Sequence, residues 1–132
     1  MGDKHASLHL PAEATRLSPE LLRDWLVSEQ ITISFLPTAL AERVMALDWP
    51  QHAALRTLLT GADTLRQFPT DDLPFEVINN YGPTECTVVA TSGSVPPDAY
   101  TNTLPTIGRA IANTQIYILD ERLPEVPIHA AG

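Results

Sequence analysis

Apolar and polar residues recur along this chain with two periods, one typical of helices and one typical of strands. Behind Ser18-Pro19, a pair that favours a helix start, apolar residues recur at helical spacing through Leu26. Residues 31–35 alternate apolar and polar side chains, which indicates a strand. A second helix is predicted from Thr38, its expected N-cap, to Leu47. The other predicted elements are strands at 7–10, 55–59, 75–78 and 114–119, an extended segment at 88–91, a short helix at 62–68 and a loop at 96–106.

The order of these elements predicts an α/β domain. Strands that alternate with helices form a mostly parallel sheet with right-handed crossovers, and helices cover that sheet. Ligands of such sheets bind beyond the carboxyl ends of the strands. Three segments reach that edge after predicted strands, namely Phe35–Pro37, Leu59–Ala62 and Asn79–Glu85. The sequence therefore predicts one cleft lined by the ends of three adjacent strands.

Composition narrows the class of protein. The chain has 132 residues, 44% of them hydrophobic, and a formal net charge of −8. It is long enough for one domain with a core. Its acidic balance argues against a nucleic-acid partner or an anionic membrane, because both favour a basic face. Cys86 is the single cysteine, so a disulfide within the chain is excluded and a cytoplasmic location is expected. No apolar run approaches the length of a membrane span.

The run from Asn79 to Glu85 contains side chains that suit a nucleotide base. Tyr81 offers an aromatic ring that can lie on a base. The amides of Asn79 and Asn80 offer donors and acceptors for the edge of that base. Gly61 and Ala62, after the preceding predicted strand, allow backbone to approach a ligand closely, although such a glycine more often only makes a turn.

The second half of the same run suits phosphate. A helix that begins at Gly82-Pro83 would present free N–H groups and partial positive charge. Thr84 adds a hydroxyl, and Glu85 adds one carboxylate for Mg²⁺, which prefers few protein ligands beside substrate phosphates. The alternative is a plain capped helix start, with Glu85 favoured there by the helix dipole. The length of the run and its position after a strand favour the nucleotide interpretation.

NNYGPTE (79–85) closely resembles a core motif of the adenylation domains of nonribosomal peptide synthetases, a branch of the adenylate-forming enzymes. ITISFLPT (31–38), LRTLLTG (55–61) and PTIGRAIANTQIYILD (105–120) resemble other segments of that family in the same order. The resemblance covers about residues 7–130 and implies an α/β, flavodoxin-like, mostly parallel sheet flanked by helices. It also implies a reaction in which ATP and an amino acid form an aminoacyl-AMP and pyrophosphate. The acyl group then passes to the phosphopantetheine thiol of a carrier protein.

The resemblance also implies roles for the nucleotide-site residues. Asn79 would meet the adenine amino group, and Tyr81 would stack on the ring. Thr84 would contact the α-phosphate and Glu85 would hold Mg²⁺, which makes these two the expected catalytic residues. The implied ATP set is Gly61, Ala62, Asn79, Tyr81, Gly82 and Thr84.

The substrate pocket implied by the resemblance is apolar and uncharged. Its positions fall on Phe35, Leu59, Gly61, Asn80, Gly82, Val88 and Val89. Carbonyl groups near Gly82 and Val88 would receive the substrate's α-amino group. An apolar set suits a branched aliphatic side chain, with leucine the expected substrate, because a charged side chain would stay unpaired there. Discrimination among leucine, isoleucine and valine would be modest, since one methylene is worth about 1–3 kcal/mol.

Several parts of the family pattern lie outside this sequence, among them the upstream phosphate loop, the downstream TGD motif and the domain that bears the catalytic lysine. We therefore expect residues 1–132 to be a single α/β subdomain of a larger adenylation domain and to be inactive alone. Residues 1–6 could be a cloning remnant. The expected partners are an amino acid, a peptidyl carrier protein and the rest of the synthetase. Two alternatives are part of an acyl- or aryl-CoA ligase, and a non-catalytic α/β module that binds a nucleotide or a protein.

Overall fold

The computed structural model describes residues 6–97, 103–122 and 124–125. The helices are α1 (Glu13–Leu17), α2 (Pro19–Ser28) and α3 (Thr38–Met45), and a short 3-10 turn spans Thr84–Cys86. The strands are β1 (Ile33–Pro37), β2 (Thr57–Gly61), β3 (Glu76–Tyr81), β4 (Thr91–Ser94) and β5 (Arg109–Ala110). They form one sheet in the order β1-β2-β3-β4-β5. The first three strands are parallel, and β4 and β5 are antiparallel to their neighbours. The predicted α/β class is confirmed.

One face of the sheet carries the core. Leu58 of β2 and Val77 of β3 are neighbours in register, and both are almost fully buried. They belong to the same buried cluster as Leu22 and Leu26 of α2 and Val44 of α3. Burial of each such side chain contributes about 1.5–3 kcal/mol relative to exposure. Helices α2 and α3 therefore hold the sheet from one side and leave its strand ends free.

The two predicted helix starts differ in the structure. Ser18 caps α2 as predicted, because its Oγ accepts a hydrogen bond from the Leu21 amide at 3.3 Å. The prediction that Thr38 caps α3 is wrong, since Pro37 occupies the N-cap position. Thr38 is buried in the first turn, and its hydroxyl contacts the carbonyl oxygens of Gly61 at 2.9 Å and Asp63 at 3.1 Å. This contact ties α3 to the chain that leaves β2.

The helix predicted at 62–68 is absent, and the segment is irregular. Ala62 adopts a left-handed backbone with φ 81°. The carboxylate of Glu42 accepts hydrogen bonds from the amides of Arg66 and Gln67, at 2.7 and 3.2 Å. These amides therefore bond to a side chain of α3 rather than to carbonyls of a helix. The tertiary contact with α3 replaces local helix formation here.

The predictions for the two ends of the chain are also partly wrong. Residues 7–10 form no strand and are exposed, and α1 follows them instead. Residues 114–118 form no strand, and Leu119 makes only an isolated bridge to Glu125. The fifth strand lies earlier, at 109–110, where β4 offers a free edge. Residues 1–5 and the part of the predicted loop at 98–102 lie outside the described residues.

The other face of the sheet is open. Phe35, Leu59 and Ile78 lie side by side on β1, β2 and β3, and Phe35 is 48% exposed. Side chains alternate between the faces of a strand, so these residues point away from the face that Leu58 and Val77 bury. In the ranges that the structure describes, no helix is both long and apolar enough to cross a bilayer.

Candidate functional site

A cleft of about 340 Å³ lies at the carboxyl ends of β2 and β3. Three separate stretches of chain line it: residues 62–65, residues 79–82, and Leu104, Pro105 and Ile107. The predicted position beyond the strand ends is therefore correct for β2 and β3. The predicted contribution of Phe35–Pro37 to this cleft is wrong, because the third side comes from the segment before β5. That segment reaches the cleft because β5 pairs with β4, which itself pairs with β3.

Asn79 and Asn80 are adjacent in β3 and lie on opposite faces of the sheet. Asn79 is 3% exposed, and its Nδ2 donates a hydrogen bond to the carbonyl oxygen of Thr106 at 3.0 Å. Asn80 is half-buried and shares the open face with Ile78. Both residues line the cleft. The pleat of one strand therefore directs two neighbouring amides toward two different surroundings.

Close backbone packing explains the two glycines of the predicted site. A Cβ atom on Gly82 would lie 2.6 Å from the amide nitrogen of Ala90 and 2.8 Å from the carbonyl oxygen of Val88. A Cβ atom on Gly61 would lie 2.6 Å from the carbonyl oxygen of Asn80. Neither contact is sterically allowed. These positions require glycine for the fold of the cleft, whatever ligand the cleft holds.

The helix predicted to begin at Gly82-Pro83 is a single 3-10 turn. Its amides are partly used, since Cys86 N–H donates to the Pro83 carbonyl and Thr87 N–H to the Thr84 carbonyl. Thr84 and Glu85 are exposed on this turn, beyond the described residues that line the cleft. One exposed carboxylate such as Glu85 fits a Mg²⁺ ion that takes its other ligands from phosphate and water. The described residues contain no cluster of three or more His, Cys, Asp or Glu side chains that could hold a metal.

The predicted substrate-pocket residues fall into two groups. Phe35 and Leu59 are register neighbours on the open face, and Gly61 and Asn80 lie on the same face one pleat further along. The second group is Gly82, Val88 and Val89, whose backbones approach within van der Waals distance. Val88 has a left-handed backbone with φ 79°. The structure brings the members of each group together and places both groups beside β3.

The segment 104–108 is the part of the cleft that the sequence prediction missed. Its position depends on side chains distant in the sequence. Thr91 Oγ1 donates to the Ile107 carbonyl at 2.6 Å, and the Gly108 amide donates to Thr106 Oγ1 at 3.0 Å. Gly108 has φ 81° and packs against the backbone of Ser92. The available signal in the sequence was this glycine, which a plain loop does not require.

The chain matches the family model described as AMP-binding enzyme over residues 4–132. It is 58% identical over 127 residues to one of the proteins of linear gramicidin synthase from Brevibacillus parabrevis. It is 46% identical over 127 residues to surfactin synthase subunit 1 from Bacillus subtilis (strain 168). Each match covers 96% of this chain but only 2% and 3% of the relative's length. The chain therefore corresponds to a small part of these proteins.

Solved structures agree with these relatives. The structure of PA1221, described as an NRPS protein containing adenylation and PCP domains, matches with a TM-score of 0.64 and 28% identity. This match covers 82% of this chain and 23% of that one. The chain belongs to the AMP-binding enzyme family and corresponds to part of a nonribosomal peptide synthetase adenylation domain.

Proposed function

We propose that this chain is the part of an adenylation domain where ATP and an aliphatic amino acid, leucine first, meet to form an aminoacyl-AMP. The observation that carries the proposal is the position of β3. Its end lines the 340 Å³ cleft, and its Asn80 faces the open apolar side of the sheet. A strand that borders both surfaces can hold two substrates next to each other.

The nucleotide belongs in the cleft. Tyr81 is half exposed at its edge and offers a ring face for adenine. The buried amide of Asn79 uses its nitrogen on the Thr106 carbonyl, which leaves its oxygen to accept a hydrogen bond from the adenine amino group. Thr84 and Glu85 stand beyond Gly82, toward the phosphates. Glu85 would hold Mg²⁺, which supplies positive charge to the phosphate oxygens when bound.

The amino acid belongs on the open face. Phe35, Leu59 and Ile78 form a continuous apolar row on three strands. The carboxyl halves of these strands carry no charged side chain on that face among the described residues. A branched aliphatic side chain can bury its surface there, whereas a charged one would remain unpaired. The apolar row therefore supports leucine or a similar amino acid.

The proposed reaction has two steps. An oxygen of the substrate carboxylate attacks the α-phosphorus of ATP, so that one P–O bond forms while the bond to the β-phosphate breaks and pyrophosphate leaves. A carrier-protein thiol, borne on phosphopantetheine, then attacks the acyl carbon and releases AMP. A carrier partner is supported by PA1221, which contains both adenylation and PCP domains. The single cysteine, which is exposed, supports a reducing cytoplasm.

A chimeric adenylation domain tests the proposal. These residues replace the matching 127-residue segment in an adenylation domain of the linear gramicidin synthase relative. ATP–pyrophosphate exchange is then measured with each of the twenty amino acids. We expect the fastest exchange with leucine and other aliphatic amino acids. A folded chimera without exchange would contradict the enzymatic role, and a preference for charged or aromatic amino acids would contradict the pocket.

A matched pair of variants separates the pocket from the general effect of added charge. Leu59→Lys places an ammonium group in the apolar row, and we expect it to raise the KM for leucine. Leu8→Lys makes the same change at a residue that is 87% exposed outside the sheet, and we expect it to leave the KM unchanged. Equal effects of the two variants would argue against binding on the open face. The unfused 132-residue chain should show no exchange.

A further inference from the structure

We propose that Thr91 is a positioning residue for the nucleotide: its buried hydroxyl holds the segment 104–108 as a fixed wall of the cleft. This inference rests on the proposed function, because it assigns ATP to that cleft. Thr91 is 4% exposed and is not among the residues that line the cleft. Its effect on a ligand would therefore pass through Ile107, which does line it.

Thr91 joins two walls of the cleft. Its backbone is in register with Tyr81 of β3 on one side and with Ala110 of β5 on the other. Its Oγ1 donates to the Ile107 carbonyl at 2.6 Å, a short distance for a neutral hydrogen bond. The residue thus connects the strand that bears the proposed adenine ring partner to the segment across the cleft.

Few other interactions hold the segment 104–108. Its apolar side chains are largely outside the core, since Leu104 is 55% exposed and Ile107 is 48% exposed. Apolar burial therefore contributes little to its position. The polar contacts that remain are the Thr91–Ile107 bond and the Asn79–Thr106 bond, with the Gly108–Thr106 contact inside the segment. Removal of one of these bonds should loosen the wall.

A loosened wall must be ordered when the nucleotide binds, and that ordering reduces affinity. The expected loss for one hydrogen bond is about five-fold in affinity. The amino acid would be affected less, because Phe35 and Leu59 lie on the open face and are not tied to the segment by these bonds. Thr91 should therefore separate the two substrates kinetically.

The test compares Thr91→Val with Thr91→Ser in the chimeric adenylation domain. Valine keeps the shape of threonine but has no hydroxyl, whereas serine keeps the hydroxyl. We expect Thr91→Val to raise the KM for ATP about five-fold and to change kcat and the KM for the amino acid by less than about two-fold. Thr91→Ser should restore the KM for ATP. A change in the fraction of folded enzyme alone would lower kcat and leave that KM unaltered.

Two results would overturn the inference: an unchanged KM for ATP in Thr91→Val, or equal shifts in the valine and serine variants. A second measurement does not need activity. In the 132-residue chain, hydrogen exchange of the Gly108 amide should be about five-fold faster with Thr91→Val than with Thr91→Ser. Equal exchange in both would also overturn it. A chimera without any exchange activity would instead refute the proposed function, and the amide measurement would still decide the role of Thr91.

Discussion

Asn79→Asp changes one buried atom of the cleft and almost nothing of its shape. The amide nitrogen that donates to the Thr106 carbonyl at 3.0 Å becomes a carboxylate oxygen, which cannot donate when ionised. The two side chains have nearly the same volume, so no cavity forms. The change therefore isolates the hydrogen bond that links β3 to the segment 104–108.

The expected cost follows from the burial of this contact. Asn79 is 3% exposed, so water has little access to replace the lost donor. The lost bond costs about 1 kcal/mol, and a buried acceptor left against another acceptor costs about 1–3 kcal/mol more. We expect the free energy of unfolding of the 132-residue chain to fall by about 2–4 kcal/mol at neutral pH.

The pH dependence of that loss adds a second check. Burial raises the pKa of the new carboxyl above the value of about 3.9 that aspartate has in an unfolded chain. The destabilisation is then complete above the folded pKa and is relieved as the pH falls toward the unfolded value. The protonated carboxyl can also donate to Thr106. The difference between variant and parent should therefore shrink between neutral pH and about pH 4.

Urea unfolding followed by circular dichroism measures both effects. Asn113→Asp is the control, because it adds the same charge in an exposed turn, and we expect a change within about 0.5 kcal/mol. An Asn79→Asp variant as stable as this control would refute the reasoning. A loss that stays constant with pH would show that the new carboxylate is not buried.

Three further predictions concern the fold. Gly82→Ala should destabilise the chain by about 1–3 kcal/mol in urea, because its Cβ would meet backbone atoms at 2.6 Å, and an unchanged midpoint would contradict that packing. Leu58→Ala should cost about 2–5 kcal/mol as a cavity in the core, whereas Leu10→Ala at an exposed position should cost little, and equal midpoints would argue against the described core. The pKa of Glu20 lies below its ordinary value of 4.5 because of a hydrogen bond with its own backbone amide and another with Ser18, so its contribution to stability is present above that value and is lost as the pH falls through the lowered pKa. Glu20→Gln should therefore flatten the acid limb of a stability–pH curve, and an identical limb in the variant would count against the capping contact.

Local patterns were sufficient for most of the helices and strands. The Ser18-Pro19 pair correctly predicted the start of α2, because a cap depends on hydrogen bonds within three residues. The run after β3 correctly predicted residues of a cleft, because the carboxyl end of a parallel strand is a property of sequence order. The helix predicted at 62–68 failed because Glu42, more than twenty residues earlier, binds its amides.

The sequence by itself determined the α/β class, the position of the motif from Asn79 to Glu85 at a strand end, and the family. These depend on order and on short-range chemistry. Only the tertiary structure decided that Asn79 bonds to Thr106, that Thr91 holds Ile107, and that the segment before β5 closes the cleft. These contacts join residues 27 and 16 positions apart in the chain. Such pairs depend on the register of β3, β4 and β5, and no local pattern of apolar and polar residues encodes that register.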